Sequence, residues 1–133
     1  MAKILVVEDN ALNIKLFCDL LDAHGHQTMP VSDSREALSA ARAFKPDLVI
    51  TDIQLPFVSG IELMELLRAD DDLKSVPIMA VTAYSAPGDD ERIRAAGAQA
   101  YVSKPISVMR FAETVDQLLA ERIEVQGAAQ QGL

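Results

Sequence analysis

The sequence predicts an α/β fold in which a doubly wound, five-stranded parallel sheet carries helices on both faces. Short apolar runs, rich in β-branched residues, alternate along the chain with longer segments of helical spacing. Three of the runs are almost wholly apolar, as strands covered on both faces must be. Because the alternation is strict and the connections are short, the crossovers should be right-handed, with helices on either side of one parallel sheet.

Five segments are predicted strands. The strongest candidates are ILVV (residues 4–7), LVIT (48–51) and PIMAV (77–81), which contain almost no polar side chain. HQTMPV (26–31) and AYVS (100–103) have weaker patterns but stand at the expected intervals. The chain therefore offers one strand before each helical segment.

Four of the helical segments carry an apolar stripe. The stripes consist of Leu12, Leu16 and Leu20 with Phe17 and Leu21; Ala37, Leu38 and Ala41; Ile61, Met64 and Leu67; and Val108, Phe111, Val115, Leu118 and Leu119. The remaining segment, GDDERIRAAGA (88–98), has little besides Ile93 and alanines to bury, so it should be the least firmly packed helix. Gly25, Pro46 and Gly97 stand where helices are expected to stop.

Composition narrows the class of protein. A chain of 133 residues suits one domain with a proper core. The net charge of −8 argues against nucleic-acid binding. Cys18 is the single cysteine, so an internal disulfide is impossible and a reducing compartment is expected. The first apolar run stops at Glu8, too soon for a signal peptide, and no later run approaches membrane-spanning length. We expect a cytoplasmic protein without membrane insertion.

Polar side chains stand at the ends of four predicted strands. Glu8 and Asp9 follow the first strand, Asp52 the third, Thr82 the fourth and Lys104 the fifth. In an open parallel sheet these positions meet at the carboxyl edge, where ligands bind. Three carboxylates gathered there would repel one another unless a cation lay among them, and oxygen ligands favour Mg²⁺. A lysine and a hydroxyl are suitable partners for a phosphoryl group.

Each of these residues also has an ordinary structural interpretation. Asp9 could cap the first helix, Asp52 could begin a turn, Thr82 could cap a helix, and a lone lysine is usually solvated. Four polar insertions at the ends of four apolar strands nevertheless favour a functional site. Its residues suit phosphoryl transfer.

The motifs LVVEDN, PDLVITDIQLPFVSG, PIMAVTA and AYVSKPI resemble, in this order, those of the response-regulator receiver domain of two-component signalling. The resemblance covers residues 3 to about 122 and implies a flavodoxin-like (βα)5 receiver fold with strand order 2-1-3-4-5. Residues 1–124 would form the receiver domain and residues 125–133 a flexible tail. VEDNALNIKLFCDLL, DDDL, GDDERIRAAGA and YVSKPISV are similar to single-domain members that act in bacterial cell-cycle and cell-division control.

The resemblance implies a role for each residue at the carboxyl edge. Asp52 matches the phosphoacceptor, which takes a phosphoryl group from a phosphohistidine donor. Asp9, Asp52 and the backbone carbonyl of Gln54 match the ligands of Mg²⁺, with Mn²⁺ as a possible substitute. Glu8 would act through a water. Many relatives have Asp at this position, which leaves the placement of Glu8 in the inner or outer shell open. Lys104 matches the cationic partner of the phosphoryl group.

Three further residues match the switch region of the family. Thr82 corresponds to the hydroxyl that closes on the phosphoryl group, and Tyr101 to the aromatic that turns inward on activation. A purely packing role for Tyr101 on an edge strand stays open. Pro105 corresponds to a proline joined to the preceding lysine by a cis bond.

The implied partners are sensor histidine kinases or a histidine phosphotransfer protein, and a downstream kinase or adaptor. The output would be phosphorylation-dependent protein binding by a monomer or weak dimer. No effector domain follows the last predicted helix, so the signal is expected to leave through a partner. Such a module promotes its own phosphorylation and dephosphorylation but does not turn over a separate substrate, so we do not class it as an enzyme.

Three other classes of protein are disfavoured. A haloacid-dehalogenase-type phosphatase would need a second Asp two positions after the nucleophile, where Gln54 stands. A receiver-fold interaction module that is not phosphorylated would not need the whole set of site residues. A nucleotide-binding fold would need a glycine-rich loop after the first strand, and none is present.

Overall fold

The five predicted strands form one parallel sheet. The computed structural model describes residues 2–83 and 88–131, with side chains up to residue 121. The strands are β1 (Lys3–Val7), β2 (Gln27–Val31), β3 (Leu48–Asp52), β4 (Ile78–Thr82) and β5 (Ala100–Ser103). Their order in the sheet is β2-β1-β3-β4-β5, and every neighbouring pair is parallel. The predicted fold class and strand order are confirmed.

The helices cover both faces of the sheet. They are α1 (Ala11–Ala23), α2 (Ala37–Phe44), α3 (Gly60–Ala69), α4 (Asp89–Ala96) and α5 (Val108–Gln131), with a short 3-10 turn at Ser34–Glu36 before α2. One core cluster joins α1 and α5 to the sheet, and Phe17 stacks there on Phe111 with ring centroids 5.3 Å apart. The other cluster joins α2, α3 and α4 to the opposite face. The three central strands β1, β3 and β4 are thereby buried on both sides, as their apolar sequences predicted, whereas the edge strands β2 and β5 are partly exposed.

The buried face of α1 differs from the predicted stripe. Phe17 and Leu21 are buried, whereas Leu12 is 79% exposed and Leu16 40% exposed. Successive residues of a helix are about 100° apart around its axis, so Leu16 and Phe17 cannot both face the sheet squarely. The bulkier pair, four residues apart, packs against the core, and Leu12 and Leu16 face outward. Val108, predicted to be part of the α5 stripe, is also 51% exposed.

Helix α5 continues to Gln131, so its backbone includes residues 125–131 of the segment predicted to be a flexible tail. The division into a receiver domain at 1–124 and a flexible tail at 125–133 stays a prediction. Within the described residues, no helix combines the length and the hydropathy needed to cross a bilayer.

Helix α4 buries the side chain of Ile93, in agreement with its predicted sparse packing. Its C-terminal end is instead held by Arg68 of α3. The Arg68 guanidinium donates to the carbonyl oxygen of Gly97 at 3.1 Å, to that of Val76 at 2.6 Å and to that of Lys74 at 2.9 Å. It also donates to Oε1 of Gln99 at 2.7 Å. Burial lowers the pKa of Arg68. This side chain joins α3, the end of α4 and the segment before β4.

We expect Arg68→Ala to lower the free energy of unfolding by about 2–4 kcal/mol, because several half-buried carbonyl groups lose their donor at once. Arg110 on α5 is exposed, so Arg110→Ala should change stability by less than about 0.5 kcal/mol. Urea unfolding followed by far-UV circular dichroism measures both values. Equal losses in the two variants would contradict the structural role of Arg68.

Candidate functional site

The polar residues predicted at the strand ends meet at the carboxyl edge of the sheet. Glu8 follows β1 directly, Asp52 ends β3, Thr82 ends β4, and Lys104 follows β5. The parallel register pairs Asp52 with Val81 and Thr82 with Ser103, which places these strand ends side by side. The central strands therefore bring together residues that are up to 96 positions apart in the sequence.

Three carboxylates form a cluster at this edge. Glu8, Asp9 and Asp52 each offer an oxygen atom, and these atoms all lie within 4.8 Å of one another. Glu8 and Asp52 are buried and Asp9 is exposed. The N-cap of α1 is Asn10, whose side chain accepts from the N–H of Asn13, so capping does not explain Asp9. A close set of carboxylate oxygens with one exposed member has the donor chemistry that Mg²⁺ prefers.

Lys104 supplies a positive charge to two of the carboxylates. Its Nζ lies 2.7 Å from Oδ2 of Asp52 and 3.4 Å from Oε2 of Glu8. Partial burial by itself would lower the pKa of this ammonium group, but the hydrogen bond to Asp52 and the charges of Asp52 and Glu8 outweigh it and raise the pKa. Lys104 is therefore charged at neutral pH and links β5 to the ends of β1 and β3.

The buried position of Glu8 changes the protonation of its carboxyl group. Burial, together with the nearby charge of Asp52, raises its pKa to about 7, although the hydrogen bond from the N–H of Asn10 and the charge of Lys104 act in the opposite direction. That hydrogen bond reaches Oε1 at 3.1 Å. Among the described residues, Lys104 is the ammonium group that contacts this cluster, through Glu8 and Asp52, so a divalent cation would relieve the excess negative charge. The residues present fit such an ion.

The Asp52 carboxylate is held at both oxygens. Oδ2 contacts Lys104, and Oδ1 accepts from the N–H of Gln54 at 3.0 Å. Gly60, to which the sequence assigned no role, packs directly against the main chain of Asp52 and Ile53. A Cβ atom at Gly60 would lie 2.2 Å from the carbonyl oxygen of Asp52, and the Gly60 N–H donates to the carbonyl of Ile53 at 2.9 Å. The glycine at the end of the PDLVITDIQLPFVSG motif was the signal for this close approach.

The predicted switch residues lie on β4 and β5. Thr82 is buried, and its carbonyl accepts from the N–H of Lys104 at 2.7 Å. Tyr101 is half-buried, packs against the core cluster of α2, α3 and α4, and has the Arg94 guanidinium 5.8 Å from its ring centroid. The Lys104–Pro105 peptide bond is cis. The switching roles of Thr82 and Tyr101 stay predictions.

Comparison with known proteins gives one family. The profile described as "Response regulator receiver domain" matches residues 4–116. The polar-differentiation response regulator DivK of Brucella anthropi is 51% identical over 118 residues, which are 89% of this chain and 96% of that protein. DivK of Brucella ovis is 50% identical over the same shares of the two chains.

Solved structures agree with this family. The chemotaxis response regulator CheY4 of Vibrio cholerae is similar at a TM-score of 0.84 and 27% identity, over 89% of this chain and 98% of that one. The receiver domain of the sensor histidine kinase PA1611 from Pseudomonas aeruginosa has a TM-score of 0.82 and 28% identity, over 90% and 98% of the two chains. That structure has a magnesium ion coordinated in its active-site cleft.

The raised pKa of Glu8 predicts a dependence of stability on pH in the metal-free protein. The folded state binds the Glu8 proton more tightly than the unfolded state. The resulting contribution to the free energy of unfolding is complete below pH about 4.5 and is lost as pH rises through about 7. Its size is up to about 3 kcal/mol, since one unit of pKa shift corresponds to about 1.4 kcal/mol.

Glu8→Gln, which cannot ionise, should therefore gain stability relative to wild type between these pH values. Glu65→Gln, a change at an exposed position of α3, is the matched control and should follow wild type. Urea unfolding in EDTA at a series of pH values measures the differences. If the free energies of unfolding of wild type and Glu8→Gln change with pH in parallel, protonation of Glu8 is not the cause of the pH dependence.

Proposed function

Because this chain belongs to the response regulator receiver domain family, we propose that it is a signalling protein whose Asp52 accepts a phosphoryl group from a phosphohistidine donor. The family predicted from the motifs is confirmed. Receiver domains are signalling modules that work with histidine kinases or phosphotransfer proteins. The role of each site residue in this chain is our proposal.

The observation that carries the proposal is the contact between Asp52 and Lys104 within the acidic cluster. A lysine that only balanced surface charge would not lie 2.7 Å from a nearly buried carboxylate next to two more acids. Fixed at both oxygens, the Asp52 carboxylate is oriented before a donor arrives. Lys104 is also placed to contact an oxygen of a phosphoryl group bonded to Asp52, which is the position in which positive charge stabilises transfer.

The transfer step follows from this arrangement. A carboxylate oxygen of Asp52 forms a bond to phosphorus while the bond between phosphorus and the imidazole nitrogen of the donor breaks. The nitrogen keeps the electron pair, and the product on Asp52 is an acyl phosphate. Hydrolysis by water later restores the carboxylate. No other nucleophile of the chain is needed.

We assign the divalent cation, Mg²⁺ or Mn²⁺, to Asp9, Asp52 and the backbone carbonyl of Gln54, with Glu8 acting through a water. The support is the fit of the three carboxylates and the magnesium ion in the related receiver domain of PA1611. When bound, the ion would neutralise charge on the phosphoryl oxygens. Since Asp9 is exposed and begins no helix, its carboxylate can face a cation without disturbing the cap of α1.

The donor must be a protein that reaches Asp52 from the carboxyl edge. Leu12 and Leu16 lie one turn apart on the exposed side of α1, which starts two residues after Asp9. Exposed large apolar side chains beside a reactive group are typical of a contact with a protein partner. We propose that the donor, a sensor histidine kinase or a histidine phosphotransfer protein, uses this side of the molecule.

The similarity to DivK supports a role in polar differentiation and the control of cell division. In this proposal the acyl phosphate on Asp52 draws in the Thr82 hydroxyl, and Tyr101 turns inward. The surface of α4, β5 and α5 then binds a downstream kinase or adaptor. The sparse core contact of α4, carried by Ile93, supports two arrangements of similar free energy that one phosphoryl group could bias.

Acetyl phosphate or phosphoramidate should label the wild-type protein on Asp52 in the presence of Mg²⁺ or Mn²⁺ and not in EDTA. Asp52→Asn should abolish the labelling, because an amide oxygen is a poor nucleophile and the charge of the site changes. Asp47→Asn, at the other end of β3, is the matched control and should be labelled normally. Intact-protein mass spectrometry measures the label.

Label that survives acid and alkali, or that persists in Asp52→Asn, would reject Asp52 as the acceptor. Absence of label in wild type with every donor would favour the alternative, an interaction module that is not phosphorylated.

Beryllofluoride, a mimic of the bound phosphoryl group, should raise the affinity of wild type for the purified cytoplasmic part of a cognate histidine kinase by about tenfold or more. Thr82→Ala should be phosphorylated but should lose most of that gain, because the hydroxyl that couples the site to β5 is missing. Thr28→Ala, on β2 at the far edge of the sheet, should behave as wild type. Calorimetric titrations give the affinities, and equal values with and without beryllofluoride for every variant would refute the switch.

A further inference from the structure

The loop between β3 and α3, residues 53–59, is anchored by a serine from the connection between β2 and α2. Ser34 is 3% exposed. Its hydroxyl donates to the carbonyl oxygen of Pro56 at 2.8 Å and accepts from the N–H of Val58 at 3.2 Å. Both main-chain groups lie in the loop that starts directly after Asp52. One buried side chain thus satisfies a donor and an acceptor of the same loop.

The neighbouring residue holds the loop from outside. The Arg35 guanidinium stacks on the ring of Phe57, with Cζ 3.8 Å from the ring centroid. Asp33 fixes the guanidinium through two contacts of 3.0 and 2.8 Å. Phe57 has a φ of 68°, which is uncommon for a residue other than glycine and is kept only where the surroundings enforce it. The stack on Arg35 is one of those enforcing contacts.

The loop is also fixed at its two ends, close to the site. The N–H of Gln54 donates to Oδ1 of Asp52, and the N–H of Gly60 donates to the carbonyl of Ile53. The position of Gln54 therefore depends on the path of the chain between these ends. Ser34 holds the middle of that path at Pro56 and Val58, next to Leu55, which is buried in the core. Among the main-chain hydrogen bonds of the described residues, none joins this loop to β2 or α2. None could therefore replace the two bonds of Ser34.

We infer that Ser34, assisted by Arg35, is a positioning residue that holds the 53–59 loop so that the main chain of Gln54 is set for Asp52 and for the divalent cation. The inference rests on the proposed function, since it concerns the same site. The hydrogen bonds of Ser34 are to Pro56 and Val58 and not to the residues assigned to the cation or the phosphoryl group. It acts through Pro56, Val58 and the loop between them.

The test compares two serine variants of the full chain by calorimetric titration with Mg²⁺. Ser34→Ala should raise the dissociation constant about tenfold, the lower end of the effect of losing a residue that orients a metal ligand. Ser39→Ala is the matched control: Ser39 donates one hydrogen bond, to the carbonyl of Glu36, at an exposed position of α2, and its loss should leave the constant unchanged. Arg35→Ala should give a smaller increase of a few-fold.

Amide hydrogen exchange in EDTA supplies a readout that does not depend on the cation. The amides of Gln54 and Val58 should exchange about tenfold faster in Ser34→Ala, whereas the Phe111 amide of α5 should exchange as in wild type. Faster exchange in the loop with an unchanged Mg²⁺ affinity, or a weaker affinity with an unchanged loop, would overturn the inference. Wild type that binds no Mg²⁺ would instead contradict the proposed function.

Discussion

The accumulation of negative charge at the carboxyl edge is the constraint on which the rest of the site depends. A parallel sheet brings the ends of β1 and β3 together, so Glu8, Asp9 and Asp52 must share a small volume. Lys104 offsets part of this repulsion, while burial, together with the nearby charge of Asp52, raises the pKa of Glu8 to about 7. The cluster therefore offers the oxygen donors that a divalent cation prefers.

The loop after β3 is tightly packed next to Asp52 and exposed farther along the chain. Behind Asp52 the packing is so tight that Gly60 leaves no room for a Cβ atom. Beyond it Leu55 is buried in the core, whereas Phe57 is 69% exposed. Ser34 and Arg35, from the neighbouring connection, hold the part of the loop around Phe57 that the core does not bury.

Helix α4 combines a firmly held end with a weakly packed body. Arg68 binds the carbonyl of Gly97 just after the helix, while Ile93 is the side chain that α4 buries. In the proposed function, a helix with such a small buried face can shift when Asp52 is phosphorylated.

The sequence by itself determined the fold class, the places of the five strands and the positions of the site residues. Local periodicity predicts strands because both faces of a parallel sheet are buried, and polar residues at strand ends stand out against that apolar pattern. The family resemblance then assigned them roles. The tertiary structure decided which face of α1 is buried, because Leu16 and Phe17 satisfy the helical pattern equally well and the packing of Phe17 on Phe111 and the sheet distinguishes them. It also decided that Asn10 caps α1 and that Ser34, Gly60 and Arg68 hold distant segments. The cap is a local contact, but Asp9 and Asn10 are both suitable capping residues and the sequence does not choose between them. The bonds from Ser34 to Pro56 and from Arg68 to Gly97 join residues 22 and 29 positions apart, so no local pattern contains them.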